Sequence, residues 1–171
     1  MRRGMIAALT AAALILLPVS DASAQPDREG FSANLGVTGA VPDPDPRVTP
    51  NGKWVFFEGT KVTATGGATI GTTTYTSAVL EATLWGKLSP DGTKGTEWGT
   101  FTLTLDDGDL VCDGTVKVKR YAVADGLFRP YGESGKFRAD CDGAKVMGEF
   151  VGEPPSDGSP GFLVTMDGTA R

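Results

Sequence analysis

The chain has 171 residues, including 24 Gly, 11 Pro, 2 Cys and no His, and carries a formal net charge of −5. Without an imidazole, Ser-His-Asp and Cys-His catalysis and every metal site with a His ligand are excluded. An acidic charge balance also argues against nucleic-acid binding, which requires a positive surface. We therefore expect a single domain with no nucleic-acid partner, no metal and no cofactor.

The first 24 residues have the three parts of a secretory signal peptide. Arg2 and Arg3 form a basic start, and the apolar run Met5–Leu17 is too short to span a bilayer. Small residues follow at the point where cleavage is expected, near Ala24. We predict export of the mature chain to the periplasm or the medium, with no membrane span in that mature form.

Residues 25–51 form a proline-rich segment with five prolines. Proline lacks a backbone donor and restrains the residue before it, so residues 41–50 should be extended and unpaired. At most one short strand precedes them, around residues 31–38. We expect this segment to lead into the main domain and to pack across one of its ends.

Residues 52–171 show the alternation of apolar and polar residues that is typical of half-buried strands. Strands are predicted at residues 53–65, 76–88, 97–106, 109–121, 134–141, 144–152 and 161–170. The dipeptide Asp-Gly, a strong hairpin signal, occurs at 91–92, 107–108, 113–114, 125–126, 142–143, 157–158 and 167–168. We predict an all-β antiparallel meander of seven to eight strands that closes into a small barrel, because closure removes exposed edges. A two-sheet β-sandwich is the alternative.

Cys112 and Cys141 both lie in the part that is predicted to be exported, where disulfides persist. Their spacing matches no redox or metal motif, so a single structural disulfide is expected. Alternation puts Cys112 on the face of Leu110 and Cys141 on the face of Phe137. Both sulfur atoms should therefore point into the core.

Two short motifs resemble known barrel families. Gly52-Lys53-Trp54, at the start of the first strong strand, resembles the glycine-x-tryptophan signature of lipocalins and other calycin-type barrels. That resemblance implies a tryptophan that plugs the closed end of a ligand-holding barrel. The glycine-spaced stretch from Gly132 to Gly152 resembles the strands of allene-oxide-cyclase-like and dirigent-like barrels. Both resemblances imply a small β-barrel, and neither identifies a ligand.

Carboxylate pairs are one route to catalysis beside a shaped cavity, because glycoside hydrolysis needs only an acid and a base or nucleophile and no imidazole. The candidates on predicted strands are Glu58, Glu81, Glu97 and Glu149. Alternation puts Glu81 and Glu149 on the face opposite the apolar residues of their strands, where a carboxylate is usually just solvated.

The one cluster of basic residues consists of Lys117, Lys119 and Arg120. Because Lys117 and Lys119 are two residues apart, they share one face of a strand. We interpret the cluster as a solvated strand face rather than a phosphate site.

Aromatic side chains offer a stacking platform for a sugar or another flat ligand. Trp98 alternates with threonines, on the face opposite Phe101, and Trp85 shares a face with Glu81. If these faces line the barrel lumen, they surround a mostly polar pocket. If they point to solvent, they form an exposed belt or cross-strand pairs. The candidate ligand-binding residues are Glu81, Trp85, Trp98 and Tyr121.

The leading hypothesis is a non-enzymatic exported barrel that binds a small molecule or a surface glycan in its mouth. A cyclase-like or isomerase-like enzyme, or a glycoside hydrolase, is the first alternative, and an envelope-interaction module with a protein partner is the second. Because the chain has no His, we expect its stability to be nearly flat between about pH 6 and 8. A steep transition in that range would mark a carboxylate with a perturbed pKa.

Overall fold

The computed structural model describes residues 28–123, 131–156 and 161–171, which are almost entirely β-structure. The strands are β1 (Glu29–Val41), β2 (Arg47–Val48), β3 (Val55–Ile70), β4 (Thr73–Leu88), β5 (Gly95–Leu105), β6 (Leu110–Ala122), β7 (Tyr131–Cys141), β8 (Ala144–Glu153) and β9 (Leu163–Ala170). Within these ranges no helix has the length and hydropathy needed to cross a membrane. The predicted signal peptide, residues 1–24, lies outside the described residues.

Eight of these strands close into an antiparallel barrel, which confirms the predicted fold class. From β3 to β9 each strand pairs with the next one in the chain, and β1 lies between β9 and β3 to complete the ring. The N-terminal strand β1 pairs with β9 over residues 29–36 and with β3 over residues 31–41. The ninth strand, β2, adds one short pairing to β3.

The largest difference from the predicted strands lies in the N-terminal segment. The short strand expected at residues 31–38 is the 13-residue β1. The prolines that follow do not keep the chain wholly unpaired, since Arg47 and Val48 pair with β3. Two neighbouring strands satisfy the backbone groups of β1, so tertiary pairing extends it beyond what its own sequence pattern indicated.

Asp-Gly dipeptides lie both in turns and inside strands. At the β7–β8 hairpin, Asp142 and Gly143 have φ of 50° and 92°, the positive values that a type I′ turn requires. Gly114 and Gly168 instead lie within β6 and β9. A Cβ on Gly114 would meet the Phe101 ring at 2.4 Å, so this glycine permits close packing rather than a turn. The dipeptides in turns are those at 91–92, 107–108 and 142–143, and those at 125–126 and 157–158 lie outside the described residues.

The two ends of the barrel differ in their connections. At one end, tight turns join β3 to β4, β5 to β6 and β7 to β8. At the other end, which we call the mouth, residues 42–54 connect β1 to β3 and residues 89–94 connect β4 to β5, and β6 and β8 end there while β7 and β9 begin there. Long connections at one end of a rigid scaffold are where binding residues concentrate, so the mouth is the end to inspect.

The half of the barrel at the tight turns is filled by inward-facing side chains. Phe137 packs in the centre, with its ring centroid 5.5 Å from that of Phe31 and 6.3 Å from that of Phe101. Cys112 and Cys141 are buried opposite one another on β6 and β7, and they form the predicted disulfide. This end is therefore closed by packed side chains and by a covalent cross-link.

Candidate ligand-binding site

A cavity of about 310 Å³ occupies the mouth half of the barrel. Its walls are mostly apolar, because most inward-facing residues of β3, β4 and β9 in this half are aliphatic or aromatic. Pro42 and Pro46 line the cavity and are also exposed to solvent, so it opens at this end. Residues 42–46 of the proline-rich segment thus lie at the entrance, whereas residues 29–41 of that segment form β1 in the barrel wall and do not pack across an end.

The cavity exists because small residues face inward in this half. Ala64 and Ala82 are buried in its wall, but their methyl groups do not fill it. Gly86 lies two inward positions after Ala82 on β4 and is glycine for a steric reason, since a Cβ there would come within 2.6 Å of the Phe57 ring. Protein interiors are normally packed without such space, so a hollow of this size needs an explanation.

Three charged side chains of the barrel strands face this apolar space, and we call Glu97, Arg120 and Glu133 the charged cluster. Asp43 lines the cavity from the segment at the entrance. Arg120 is directly opposite Glu133 in the β6–β7 pairing. Glu97 is opposite Val118, the inward-facing residue next to Arg120 on β6. Because inward positions repeat every second residue, the three side chains meet on one patch of the wall. Glu97 is only 1% exposed and Glu133 only 7% exposed.

Arg120 holds the charged cluster together. Its Nε forms ion pairs with Glu97 Oε1 and with Glu133 Oε1, the latter at 3.1 Å. Its Nη1 donates a hydrogen bond to the carbonyl oxygen of Gly92, 3.2 Å away in the β4–β5 connection. The guanidinium also lies over the ring of Tyr131, with Cζ 3.9 Å from the centroid. The guanidinium is therefore fixed in place by three neighbouring elements.

One guanidinium does not fully compensate two buried carboxylates. Burial, and then the nearby charge of Glu133, raise the pKa of Glu97 from 4.5 to about 7, although Arg120 acts to lower it. Glu97 Oε1 is buried from solvent, and the guanidinium nitrogen that it contacts, Arg120 Nε, is shared with Glu133. Near neutral pH the cluster can therefore gain or lose a proton at Glu97.

Such a cluster offers a ligand two kinds of interaction inside an apolar cavity. Protonated Glu97 can donate a hydrogen bond, and ionised Glu97 can accept one or pair with a cation. Each interaction is stronger here than in water, because the surrounding walls are apolar. Across residues 28–123, 131–156 and 161–171, no group of three or more His, Cys, Asp or Glu side chains is arranged to hold a metal ion.

The four residues predicted to bind a ligand lie on the outer surface of the barrel. Trp85 and Trp98 are opposite one another in the β4–β5 pairing, and Trp98 is 45% exposed. Glu81 is exposed four residues earlier on β4. Tyr121 lies on β6 near the mouth, and its hydroxyl donates a hydrogen bond to Glu153 Oε1 at 2.8 Å. The cavity lining, as far as the structure describes it, includes none of the four, and ligand binding at this outer belt stays a prediction.

The interpretation of the basic cluster as one solvated face is wrong for Arg120. Lys117 and Lys119 are exposed on the outer face of β6, as expected. Arg120 follows Lys119 directly and therefore has the opposite orientation, toward the cavity.

Sequence reasoning also missed the importance of Glu97 and Glu133. Alternation puts Glu97 on the inward face of β5 with Phe101 and Leu103, so a signal for a core carboxylate was present. Glu133 fell outside the strand predicted at residues 134–141, which begins at Tyr131 in the structure. Its meeting with Arg120 depends on the register between β6 and β7, which a single strand pattern does not contain.

Trp54 does not have the position that the lipocalin resemblance implies. It precedes β3 at the mouth, is half-buried and has the Lys87 ammonium 4.6 Å from its ring centroid. The closed end is filled instead by Phe31 and Phe137. The likeness to calycin-type barrels is therefore one of general architecture.

No family model, no curated protein and no solved structure matches the chain. The closed eight-stranded antiparallel barrel fits a calycin-like architecture in general. The function therefore has to be inferred from the cavity and the charged cluster themselves.

Proposed function

We propose that the protein is an exported, non-enzymatic barrel that binds a small, largely apolar molecule in its mouth. The observation that carries this proposal is the open cavity of about 310 Å³, with apolar walls and one charged cluster. Ligand pockets typically combine these features, because apolar walls supply affinity and a few polar groups fix orientation. A hollow with no such role would forfeit packing contacts that larger side chains at Ala64 or Ala82 could make.

Export is the second part of this proposal. The buried disulfide between Cys112 and Cys141 supports it, since disulfides form and persist in oxidising compartments. The basic and apolar parts of residues 1–24 supply the corresponding targeting signal.

Replacing Ala82 by Leu should weaken ligand binding by at least about tenfold while leaving the protein folded. Ala82 lines the cavity from β4, so the added carbons enter open space and do not displace packed atoms. Binding is measured by fluorescence titration with N-phenyl-1-naphthylamine, an uncharged apolar dye that brightens in apolar surroundings. Urea unfolding of the same samples measures stability.

Thr83→Leu is the matched control, because Thr83 is the next residue on β4 and has the outward orientation. It adds similar apolar volume outside the cavity, so we expect dye binding equal to that of the wild type. A wild type that binds no dye, or an A82L variant that binds it as well as T83L does, would contradict a binding site in the cavity.

A second candidate function is acid–base catalysis in the same cavity. The pKa of Glu97, raised to about 7, favours it, because a general acid or base works best with a pKa near the working pH. Glu81 and Glu149 gain no such support, since both side chains are exposed on the outer surface. Incubating the ligand recovered from the native protein with wild type and with E97Q distinguishes the two functions: an enzyme converts it with the wild type only, and a binding protein returns it unchanged from both.

A further inference from the structure

The charged residues of the cavity indicate which polar group its ligand carries, an inference that rests on the proposed function. We propose that the ligand combines an apolar body with a protonated amine, and that the amine pairs with the carboxylate of Glu97. The ligand class is therefore a hydrophobic amine.

The first support is the charge balance of the lining. Three carboxylates, from Asp43, Glu97 and Glu133, face the cavity or its rim, against the single guanidinium of Arg120. Asp43 accepts backbone hydrogen bonds from Asp45 and Glu58, which lower its pKa and keep it ionised. A cation entering through the mouth therefore passes a carboxylate at the rim and, at a pH above the pKa of Glu97, reaches an excess of negative charge inside.

The second support is the arrangement of contacts around Arg120. Its Nε is engaged by two carboxylates, its Nη1 donates to the Gly92 carbonyl, and the face of its guanidinium lies on Tyr131. An anionic ligand group would have to compete with these contacts and would meet the like charges of the two glutamates. Glu97 shares this single guanidinium with Glu133, so its buried carboxylate is only partly compensated and is the group that an added cation would neutralise.

The neighbours of Glu97 determine how binding should depend on pH. The charged groups that face it are Arg120 on β6, Glu133 on β7 and, at the rim, Asp43, while Tyr131 packs on Arg120. From β4 the neighbours are uncharged, since Gly86 is opposite Glu97 and Lys87 is directed to Trp54 instead. Because burial raises the pKa of Glu97 to about 7, a proton occupies the carboxyl in acid and an ammonium group can replace that proton above neutral pH.

The test compares three ligands that share a ten-carbon chain: decylamine, decanol and decanoate. The affinity of each ligand is measured by its displacement of N-phenyl-1-naphthylamine from the protein at pH 8 and at pH 5.5. The alkyl ammonium stays protonated at both pH values. We expect decylamine to bind at least about tenfold more tightly than decanol at pH 8, with decanoate the weakest. At pH 5.5 the preference for decylamine over decanol should largely disappear.

The variant E97Q should also remove the amine preference at pH 8 while still binding decanol. Its matched control is E81Q, since Glu81 lies outside the cavity and its neutralisation changes the net charge equally. Equal binding of decylamine and decanol at pH 8, or tightest binding of decanoate, would overturn the amine proposal and leave the cavity function standing. Failure of the dye and of all three ligands to bind would overturn both.

Discussion

Replacing Arg120 by Met should lower the free energy of unfolding at pH 8 by about 3 to 5 kcal/mol. Arg120 is the guanidinium that Glu97 and Glu133 share, and Met would leave both buried carboxyl groups without it. An uncompensated buried charge is among the most destabilising changes that a single substitution can make. Urea unfolding monitored by tryptophan fluorescence measures the loss.

The loss should be smaller at pH 5, because without Arg120 the pKa of Glu97 rises further and the carboxyl is neutralised by a proton. Lys119→Met is the control, since Lys119 is adjacent on β6, is exposed and carries the same charge. It should change stability by no more than about 0.5 kcal/mol. A loss of less than about 1 kcal/mol in R120M at pH 8 would mean that the cluster is not the buried network described above.

The stability of the wild-type protein should fall by roughly 2 to 3 kcal/mol between pH 5 and pH 8, although the chain has no His. Glu97 has a pKa of about 7 in the folded state and 4.5 as its ordinary value. Between these values the folded state binds more protons than the unfolded state, so stability decreases as pH rises through this window and is flat above it. The structure therefore replaces the sequence-based expectation of nearly constant stability between about pH 6 and 8 with an expected decrease in stability over this range.

Carboxylates with a lowered pKa, namely Asp43, Asp91 and Asp140, act in the opposite direction and at lower pH. They are ionised in both the folded and the unfolded state above about pH 5, so they do not change the stability between pH 5 and pH 8. In E97Q the decline between pH 5 and pH 8 should vanish, whereas E81Q should keep it. Chemical unfolding at half-unit pH steps measures both curves, and an unchanged decline in E97Q would assign it to another group.

The strands and turns could be predicted from the sequence because their signals are local. Alternation of apolar and polar residues marks β4 and β5, and the Asp142-Gly143 dipeptide provides the positive φ values of a hairpin turn. The disulfide was likewise predictable, because the chain has two cysteines and both lie in the part that the sequence predicts to be exported.

The candidate site could not be predicted in the same way, because it depends on register and closure. The orientation of Glu97 and of Arg120 follows from alternation, but their contact requires β5, β6 and β7 to pair with one particular offset. Trp85 and Trp98 were predicted to bind a ligand because they are aromatic residues on a threonine-rich strand face. The sequence pattern is the same whether that face points into the barrel or out to solvent. Only closure of the barrel decides which face lines the lumen.

The cavity itself is a property of side-chain volume across strands. Ala64 on β3 and Ala82 on β4 leave space only because no large side chain from a facing strand fills it. An alanine in the apolar face of a single strand does not by itself predict a pocket, because the neighbouring strands determine whether the space is filled.

The most direct test is a crystal structure of the protein grown with N-phenyl-1-naphthylamine. Ligand binding in the mouth predicts density for the dye inside the barrel, between Ala82, Phe101 and Arg120. Dye bound on the outer surface at Trp85 and Trp98, with the interior of the barrel empty, would contradict the proposed site.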